Sequence, residues 1–214
     1  MANVLHLMNA GGLLSPGLAA RVRERAEAAL TRHAAQLRLD GVDVAVRVAP
    51  WTLPETGVLG YAPLPHYVDI TLTPDNPNFM HGWRTELPAT LAHELHHARR
   101  WRGPGYGQTL LEALVSEGLD QHYETEERGG PPPYARIPAD LDSLWQRAQA
   151  ELDSPEYSHP DWFFGSKAER LPRWTGYALG YELVRRFLAC EGGDAVTHAD
   201  TSAHLFREAW NRAA

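Results

Sequence analysis

The chain has 214 residues, which is enough for one domain with a sizeable core, and its hydrophobic content of 43% is ordinary for a globular protein. The net charge is −7, with no block of basic residues, which argues against a nucleic-acid partner. A single cysteine, Cys190, excludes an internal disulfide framework and favours a reducing compartment. No stretch approaches the roughly 20 apolar residues of a membrane span. A secretory signal would begin with basic residues, but no Lys or Arg precedes Arg21. We therefore expect a soluble, cytoplasmic protein with no membrane partner.

The first part of the chain reads as strands and one helix. The apolar run Val4–Met8 predicts a short strand. Ser15 followed by Pro16 begins a helix that extends to about residue 39, because a hydroxyl cap and a proline in the first turn both favour a helix start. Alternating apolar and polar residues predict strands at 42–49 and 67–73. The Pro- and Gly-rich stretch at 50–65 is predicted to connect them.

The later part of the chain is predicted to be mostly helical. One helix begins between residues 85 and 88 and ends before Gly103, and Thr109 caps a second helix at 110–127. Further helices are expected at 139–152, 174–189 and 200–211, with an irregular, aromatic segment at 154–173. Strands come early and helices late, so the fold class is α+β with a small antiparallel or mixed sheet. We predict one domain over 1–214: a helix and sheet part to about residue 80, then a helical part from about residue 81 that carries a metal site.

That metal site is predicted from the pattern His93-Glu94-Leu95-His96-His97. Residues four apart lie on one helix face, so His93 and His97 can bind one metal ion together. Glu94 then lies where a general base for a metal-bound water is needed. His96 is an alternative partner for His93, but His97 leaves Glu94 in the base position. A solvated helix face is the plainer interpretation, and the apolar stripe of Leu87, Leu91 and Leu95 argues for a buried helix instead.

A catalytic zinc usually has three protein ligands and one open position. Glu117 follows His97 by 20 residues, and a connection of about ten residues before two helical turns would return it opposite the histidines. Gly118 costs a helix about 1 kcal/mol relative to Ala, so we expect another helix, such as the metal-bearing one, to pack closely there. Glu112 is the competing carboxylate, but it lies nearer the start of its helix.

His-Glu-x-x-His followed by Glu at this spacing resembles the gluzincin metallopeptidases. The fuller strings at 92–99 and 111–119 resemble an uncharacterised bacterial family of predicted zinc-dependent proteases. The similarity extends from about residue 60 to 188 and includes Gly60-Tyr61-Ala62-Pro63 and the segment at 174–181. The resemblance implies a zincin-like fold, Zn²⁺ as cofactor, the ligands His93, His97 and Glu117, and Glu94 as the base. Better-known gluzincins carry an acid four residues after the third ligand; here Gln121 is at that position and Asp120 precedes it. Either is a candidate partner of a ligand histidine, and a solvated helix face is the plainer interpretation.

Peptide hydrolysis also needs a donor to the carbonyl oxygen and a surface for the substrate. The resemblance favours Tyr177 as the donor, with Tyr181 and His66 as alternatives, although tyrosines on helices commonly pack in the core. Strand 67–73 can pair with an extended peptide, as a sheet-edge strand does in gluzincins, or it can be an ordinary strand of the sheet. His159, in the aromatic segment, is a further candidate metal ligand.

We predict a zinc-dependent metallohydrolase, a peptidase of gluzincin type that acts on a peptide or protein substrate. Two alternatives remain at this point: a binding or regulatory module stabilised by metal without catalysis, and a hydrolase of a small amide. The sequence predicts no particular oligomeric state.

Overall fold

The computed structural model describes residues 1–137 and 139–212. It confirms the α+β class, with a small mixed sheet followed by mostly helical segments. The chain divides into two compact units: Met1–Arg102 with Glu126–Gly129, and Gly103–Thr125 with Gly130–Ala214. The single domain expected over 1–214 stays a prediction. No helix in the described ranges is long and apolar enough to cross a membrane.

The first unit contains a four-stranded sheet and two long helices. The strands are β1 (Val4–Met8), β2 (Asp43–Val48), β3 (Val58–Leu64) and β4 (Tyr67–Leu72), and the helices are α1 (Pro16–Leu37) and α2 (Phe79–Arg100). The sheet order is β1-β2-β4-β3, with β3 antiparallel to β4 and the other neighbours parallel. Helix α2 contacts α1, β3 and β4. The buried face of the sheet consists of alternate aliphatic side chains that are fully buried: Val44, Val46, Val58, Val68, Ile70 and Leu72.

Strand β3 corrects two of the expectations. It lies inside the stretch at 50–65, which is predicted to be a connection. That prediction follows from Gly60 and Pro63, because glycine and proline disfavour a strand. The sheet tolerates Pro63 because β3 lies at the edge, where an N–H is not needed for the ladder. The expectation that strand 67–73 pairs with a peptide was wrong. Strand β4 lies between β2 and β3, so both of its sides already pair with neighbouring strands.

Local signals set the start of α1 but not that of α2. Ser15 caps α1, where its Oγ accepts a hydrogen bond from the Leu18 N–H at 3.4 Å. Helix α2 begins at Phe79, earlier than predicted, and Pro88 lies in its interior rather than in its first turn. A proline there leaves the carbonyl of Arg84 without its usual helical donor. Arg25 Nε donates to that carbonyl at 2.9 Å, which compensates for the lost bond.

The remaining helices are α3 (Leu110–Arg128), α4 (Leu141–Ala148), α5 (His159–Phe164) and α6 (Thr175–Glu191). Helix α3 has nearly its predicted bounds, whereas α4 is shorter than predicted and α5 lies in the segment that was expected to be irregular. The last predicted helix is a 3₁₀ helix, Ala203–Asn211. Helix α6 is the centre of the second unit, since it contacts α4, α5 and the 3₁₀ helices Pro133–Ala135 and Ala203–Asn211.

Helices α3 and α6 approach each other at two glycines. A Cβ on Gly118 would lie 2.2 Å from the Gly180 carbonyl oxygen, and a Cβ on Gly180 would lie 2.3 Å from the Leu114 carbonyl oxygen. The two backbones are therefore in direct contact. This confirms the close packing expected at Gly118, but the helix in contact there is α6 and not the metal-bearing helix suggested by the sequence.

Candidate metal centre

Helix α2 buries the residues of the His-Glu-x-x-His pattern. His93, Glu94 and His97 are 5%, 6% and 7% exposed, and His96 is fully buried. The rings of His93 and His97 lie 4.8 Å apart, centre to centre, with an angle of 72° between their planes. The helical repeat thus brings two imidazoles together in a water-poor environment.

A carboxylate joins these two histidines. His93, His97 and Asp120 are all buried, each offers one ligand atom, and these three atoms lie within 4.8 Å of one another. Two imidazole nitrogens and a carboxylate oxygen form a donor set that zinc accepts, and such a set leaves a fourth position for water or substrate. The residues therefore fit the metal that the sequence predicted.

Three polar side chains of α3 have different surroundings. Glu117, one turn before Asp120, is 5% exposed, and its Oε1 accepts a hydrogen bond from the Tyr106 hydroxyl at 3.0 Å. Its role as third ligand stays a prediction. Gln121 Nε2 donates to the carbonyl oxygens of Glu117 at 3.1 Å and Tyr177 at 3.0 Å, so this amide connects α3 to α6. Gln121 Nε2 thus bonds to two backbone carbonyls. Asp120, whose carboxylate lies near His93 and His97, is the better candidate for the partner of a ligand histidine.

Glu112, the competing carboxylate, caps the N-terminus of α3. Its Oε2 accepts from the backbone N–H of Gln108 at 2.8 Å and from the N–H and hydroxyl of Thr109, both at 3.0 Å. Thr109 Oγ1 in turn accepts from the Glu112 N–H at 3.3 Å. This reciprocal arrangement is a capping box, which confirms Thr109 as the cap and gives Glu112 a structural role.

Tyr106, which no sequence pattern singles out, contacts a predicted ligand. Its hydroxyl lies 3.0 Å from Glu117 Oε1 and 2.8 Å from His159 Nε2. Burial, and then the charge of Glu117, raise the pKa of Tyr106 well above its ordinary value, so the phenol is protonated at neutral pH. Burial lowers the pKa of His159, which favours a neutral ring. Tyr106 lies in a glycine-rich turn between two helices, and nothing in the sequence distinguishes it from an ordinary loop tyrosine.

Glu94 lies directly against the edge strand β3. A Cβ built on Gly60 would be 2.4 Å from both Cγ and Oε1 of Glu94. Only a glycine lets the strand pass so close to this carboxylate. The predicted base is therefore adjacent to the backbone of an edge strand.

The three candidate oxyanion donors have different surroundings. Tyr177, on α6, packs edge-on against Phe163, with ring centres 5.0 Å apart, and it is close enough to Tyr106 that its phenol, when ionised, raises the pKa of Tyr106. Tyr181 stacks flat on His122, with ring centres 4.2 Å apart. His66 is exposed in the turn between β3 and β4. Tyr177 is thus the candidate that shares surroundings with Tyr106 and Glu117.

The chain has an α+β fold, a buried group of two histidines and a carboxylate, and a glutamate directly after the first histidine. These are the features of a zinc hydrolase. The chain belongs to the family described as "Predicted Zn-dependent protease (DUF2268)", whose model matches residues 22–207. No curated protein and no solved structure matches the chain. The family match confirms the resemblance seen in the sequence and, with the buried group, the prediction of zinc as cofactor.

Proposed function

We propose that this protein is a zinc-dependent peptidase of gluzincin type that hydrolyses peptide bonds in a peptide or protein substrate. The observation that carries the proposal is the buried group of His93, His97 and Asp120 on and beside the helix that also carries Glu94. The family description supports a zinc-dependent protease in general. The single cysteine supports the cytoplasm as the location, and the proposal includes neither a nucleic-acid nor a membrane partner.

In this proposal His93, His97 and Glu117 hold the zinc. Asp120, which lies beside the histidines, would accept a hydrogen bond from the second ring nitrogen of one of them and so orient it. Residues three apart on α3 share a face, so Glu117 can point to the same side as Asp120. Zinc held by these residues would supply a Lewis acid that lowers the pKa of a coordinated water to about 7 and polarises the scissile carbonyl.

Glu94 would act as the general base and then as the general acid. Its carboxylate takes a proton from the attacking water and delivers it to the nitrogen of the leaving amine. Burial of Glu94 supports this role, since a carboxylate in a water-poor site transfers its proton to the reacting atoms rather than to solvent. Tyr177 would donate its hydroxyl hydrogen to the carbonyl oxygen as negative charge develops there.

The register of β3 indicates which backbone groups would bind the substrate. Thr73 N–H donates to the Gly57 carbonyl at 2.9 Å, so this opposed pair is hydrogen-bonded. Hydrogen-bonded and non-hydrogen-bonded pairs alternate along an antiparallel ladder. The N–H and C=O groups of Val58 and Gly60 therefore point away from β4, towards the outer edge of the sheet.

Neighbouring side chains cover both flanks of that outer edge. Thr56 Oγ1 bonds to the Val58 N–H at 3.1 Å and the Val58 carbonyl at 3.0 Å. Farther along, Trp101 Nε1 donates to the Ala62 carbonyl at 2.8 Å. Gly60 lies between these two positions and beside Glu94. We infer that its amide and carbonyl pair with the backbone of an extended peptide and bring a peptide bond next to the base.

Metal analysis combined with a peptide-library digest tests this function. We expect one zinc per chain and cleavage of extended peptides, lost with a zinc chelator and restored by added zinc. Turnover of small amides but not of peptides would contradict the assigned substrate class. Tightly bound zinc with no hydrolysis of either would indicate a metal-stabilised binding module.

Zinc affinities of two matched variants test the ligands. Glu117→Gln and Asp120→Asn each remove one negative charge from neighbouring positions of the same helix while nearly preserving shape. We expect the larger loss of affinity in Glu117→Gln. The reverse order would make Asp120 the third ligand.

A further inference from the structure

The loop between α2 and α3 presents Tyr106 to Glu117, and both residues belong to the second unit. Gly107 has φ +95°, and a Cβ on it would lie 2.1 Å from Cβ of Glu112. The Glu112 carboxylate meanwhile accepts from the N–H groups of Gln108 and Thr109. The capping box of α3 therefore fixes the end of the loop one residue after Tyr106.

The hydrogen bonds of Tyr106 have a definite direction. A phenol has one hydrogen, and Tyr106 donates it to Glu117 Oε1 at 3.0 Å. His159 Nε2, at 2.8 Å from the same oxygen, must then carry the hydrogen of that second bond. The result is a relay of donors from His159 to Tyr106 to Glu117, in which each bond polarises the next.

Aromatic packing holds the histidine in place. The His159 ring stacks on Phe163, with centres 4.3 Å apart and planes 15° from parallel. Phe163 is fully buried, and the Tyr106 ring lies tilted against His159 with centres 5.9 Å apart. These ring contacts hold His159 in the position from which it donates to Tyr106.

We propose that Tyr106 is a positioning residue for the metal site: with His159 behind it, it holds the Glu117 carboxylate in the orientation that binds zinc. This inference rests on the proposed function, since it takes Glu117 as the third ligand. Because Oε1 accepts this hydrogen bond, Oε2 is the oxygen that would bind zinc in this proposal. Loss of such a partner of a metal ligand typically weakens metal binding by about 10- to 100-fold.

The test measures zinc affinity of the full-length chain by competition with a chromophoric chelator, and thermal unfolding of the zinc-free protein. We expect Tyr106→Phe to bind zinc about 10- to 100-fold more weakly than the wild type with little change in unfolding temperature. Tyr157→Phe is the matched control, because it removes the hydroxyl of a neighbouring tyrosine whose ring also lies against His159. It is expected to bind zinc as the wild type does.

His159 and a double variant separate positioning from general stability. His159→Leu should weaken zinc binding, and His159→Gln, which keeps an N–H donor, should recover much of the affinity. Because Tyr106 acts through Glu117, adding Tyr106→Phe to Glu117→Gln should cause no further loss.

Two failures are distinguishable. Wild-type zinc affinity in Tyr106→Phe, with a large loss in Glu117→Gln, would refute the positioning role and leave the proposed function intact. Wild-type affinity in Glu117→Gln itself would refute the ligand assignment on which the inference rests. An additive loss in the double variant would also overturn the inference, because Tyr106 would then act by another route.

Discussion

The contact between Gly60 and Glu94 gives the sharpest prediction for the proposed peptidase. Substituting Gly60→Ala places a Cβ 2.4 Å from Cγ and Oε1 of Glu94, where an ordinary contact needs at least 3.4 Å. One of the two groups must therefore move by about 1 Å. The obstacle is a side chain rather than backbone, so we expect Glu94 to move and the fold to persist.

A displacement of this size has a calculable effect on catalysis. Misplacing a reacting group by about 1 Å can reduce the rate about 100-fold, which corresponds to about 2.7 kcal/mol of transition-state stabilisation. Because Glu94 is not a proposed ligand, the variant should still bind one zinc per chain. The assay is kcat/KM on a cleaved peptide, measured beside zinc content and thermal unfolding.

The control for Gly60→Ala is Gly82→Ala. Gly82 lies on the same helix as Glu94, and a Cβ there meets Glu86 Cγ at an ordinary 3.4 Å. This control should leave activity unchanged and stabilise the helix by up to about 1 kcal/mol. Wild-type activity in zinc-loaded Gly60→Ala would refute the placement of the base against β3.

Three further predictions address the helices and the metal. Gly118→Ala should destabilise the protein by about 1–3 kcal/mol in thermal or urea unfolding, because its Cβ would overlap the Gly180 carbonyl, whereas Gly130→Ala, with nothing within 4 Å, should be neutral. Hydrogen bonds from Arg185, and then Arg186, lower the pKa of Glu182, so this carboxylate stabilises the fold above its ordinary pKa of 4.5 and loses that contribution as pH falls through its lowered value. Accordingly Glu182→Gln should be less stable than the wild type by about 0.5–1 kcal/mol at pH 7, a small value because the pair is partly exposed, and equal to it in strong acid; a gap in stability that persists in strong acid would contradict this. Finally, His97→Ala should lose zinc and hydrolysis together, and retention of stoichiometric zinc would contradict its role as a ligand.

Elements with strong local signals were predictable from the sequence. Alternation in the regions of β2 and β4, and the cap at Ser15, each depend on a few neighbouring residues, so the chain itself reveals them. The metal helix is similar, because the spacing of His93 and His97 alone brings both rings to one face.

The errors arose where a distant contact outweighs local preference. Strand β3 was not predicted because glycine is a poor strand former. Gly60 is nevertheless needed in the strand, because any larger side chain would overlap Glu94. The start of α2 was misplaced because the bond from Arg25 to the Arg84 carbonyl makes an interior Pro88 tolerable. These compensations join residues far apart in the chain, and no local pattern contains them.

The candidate site was predictable only in part, for the same reason. Tyr106 and His159 are separated by 53 residues and meet only in the folded second unit. Likewise, Asp120 and Gln121 are adjacent in sequence, yet one lies by the histidines and the other connects two helices. Deciding between them required knowledge of which helix faces which neighbour.

The central claim, that Glu94 drives hydrolysis at a zinc site, is tested most directly by comparing Glu94→Gln with the wild type in the same peptide digest, both loaded with zinc. The substitution preserves shape and removes only the ability to take and return a proton. We predict one zinc per chain in both proteins and cleavage by the wild type alone. Equal cleavage by zinc-loaded Glu94→Gln would contradict the account.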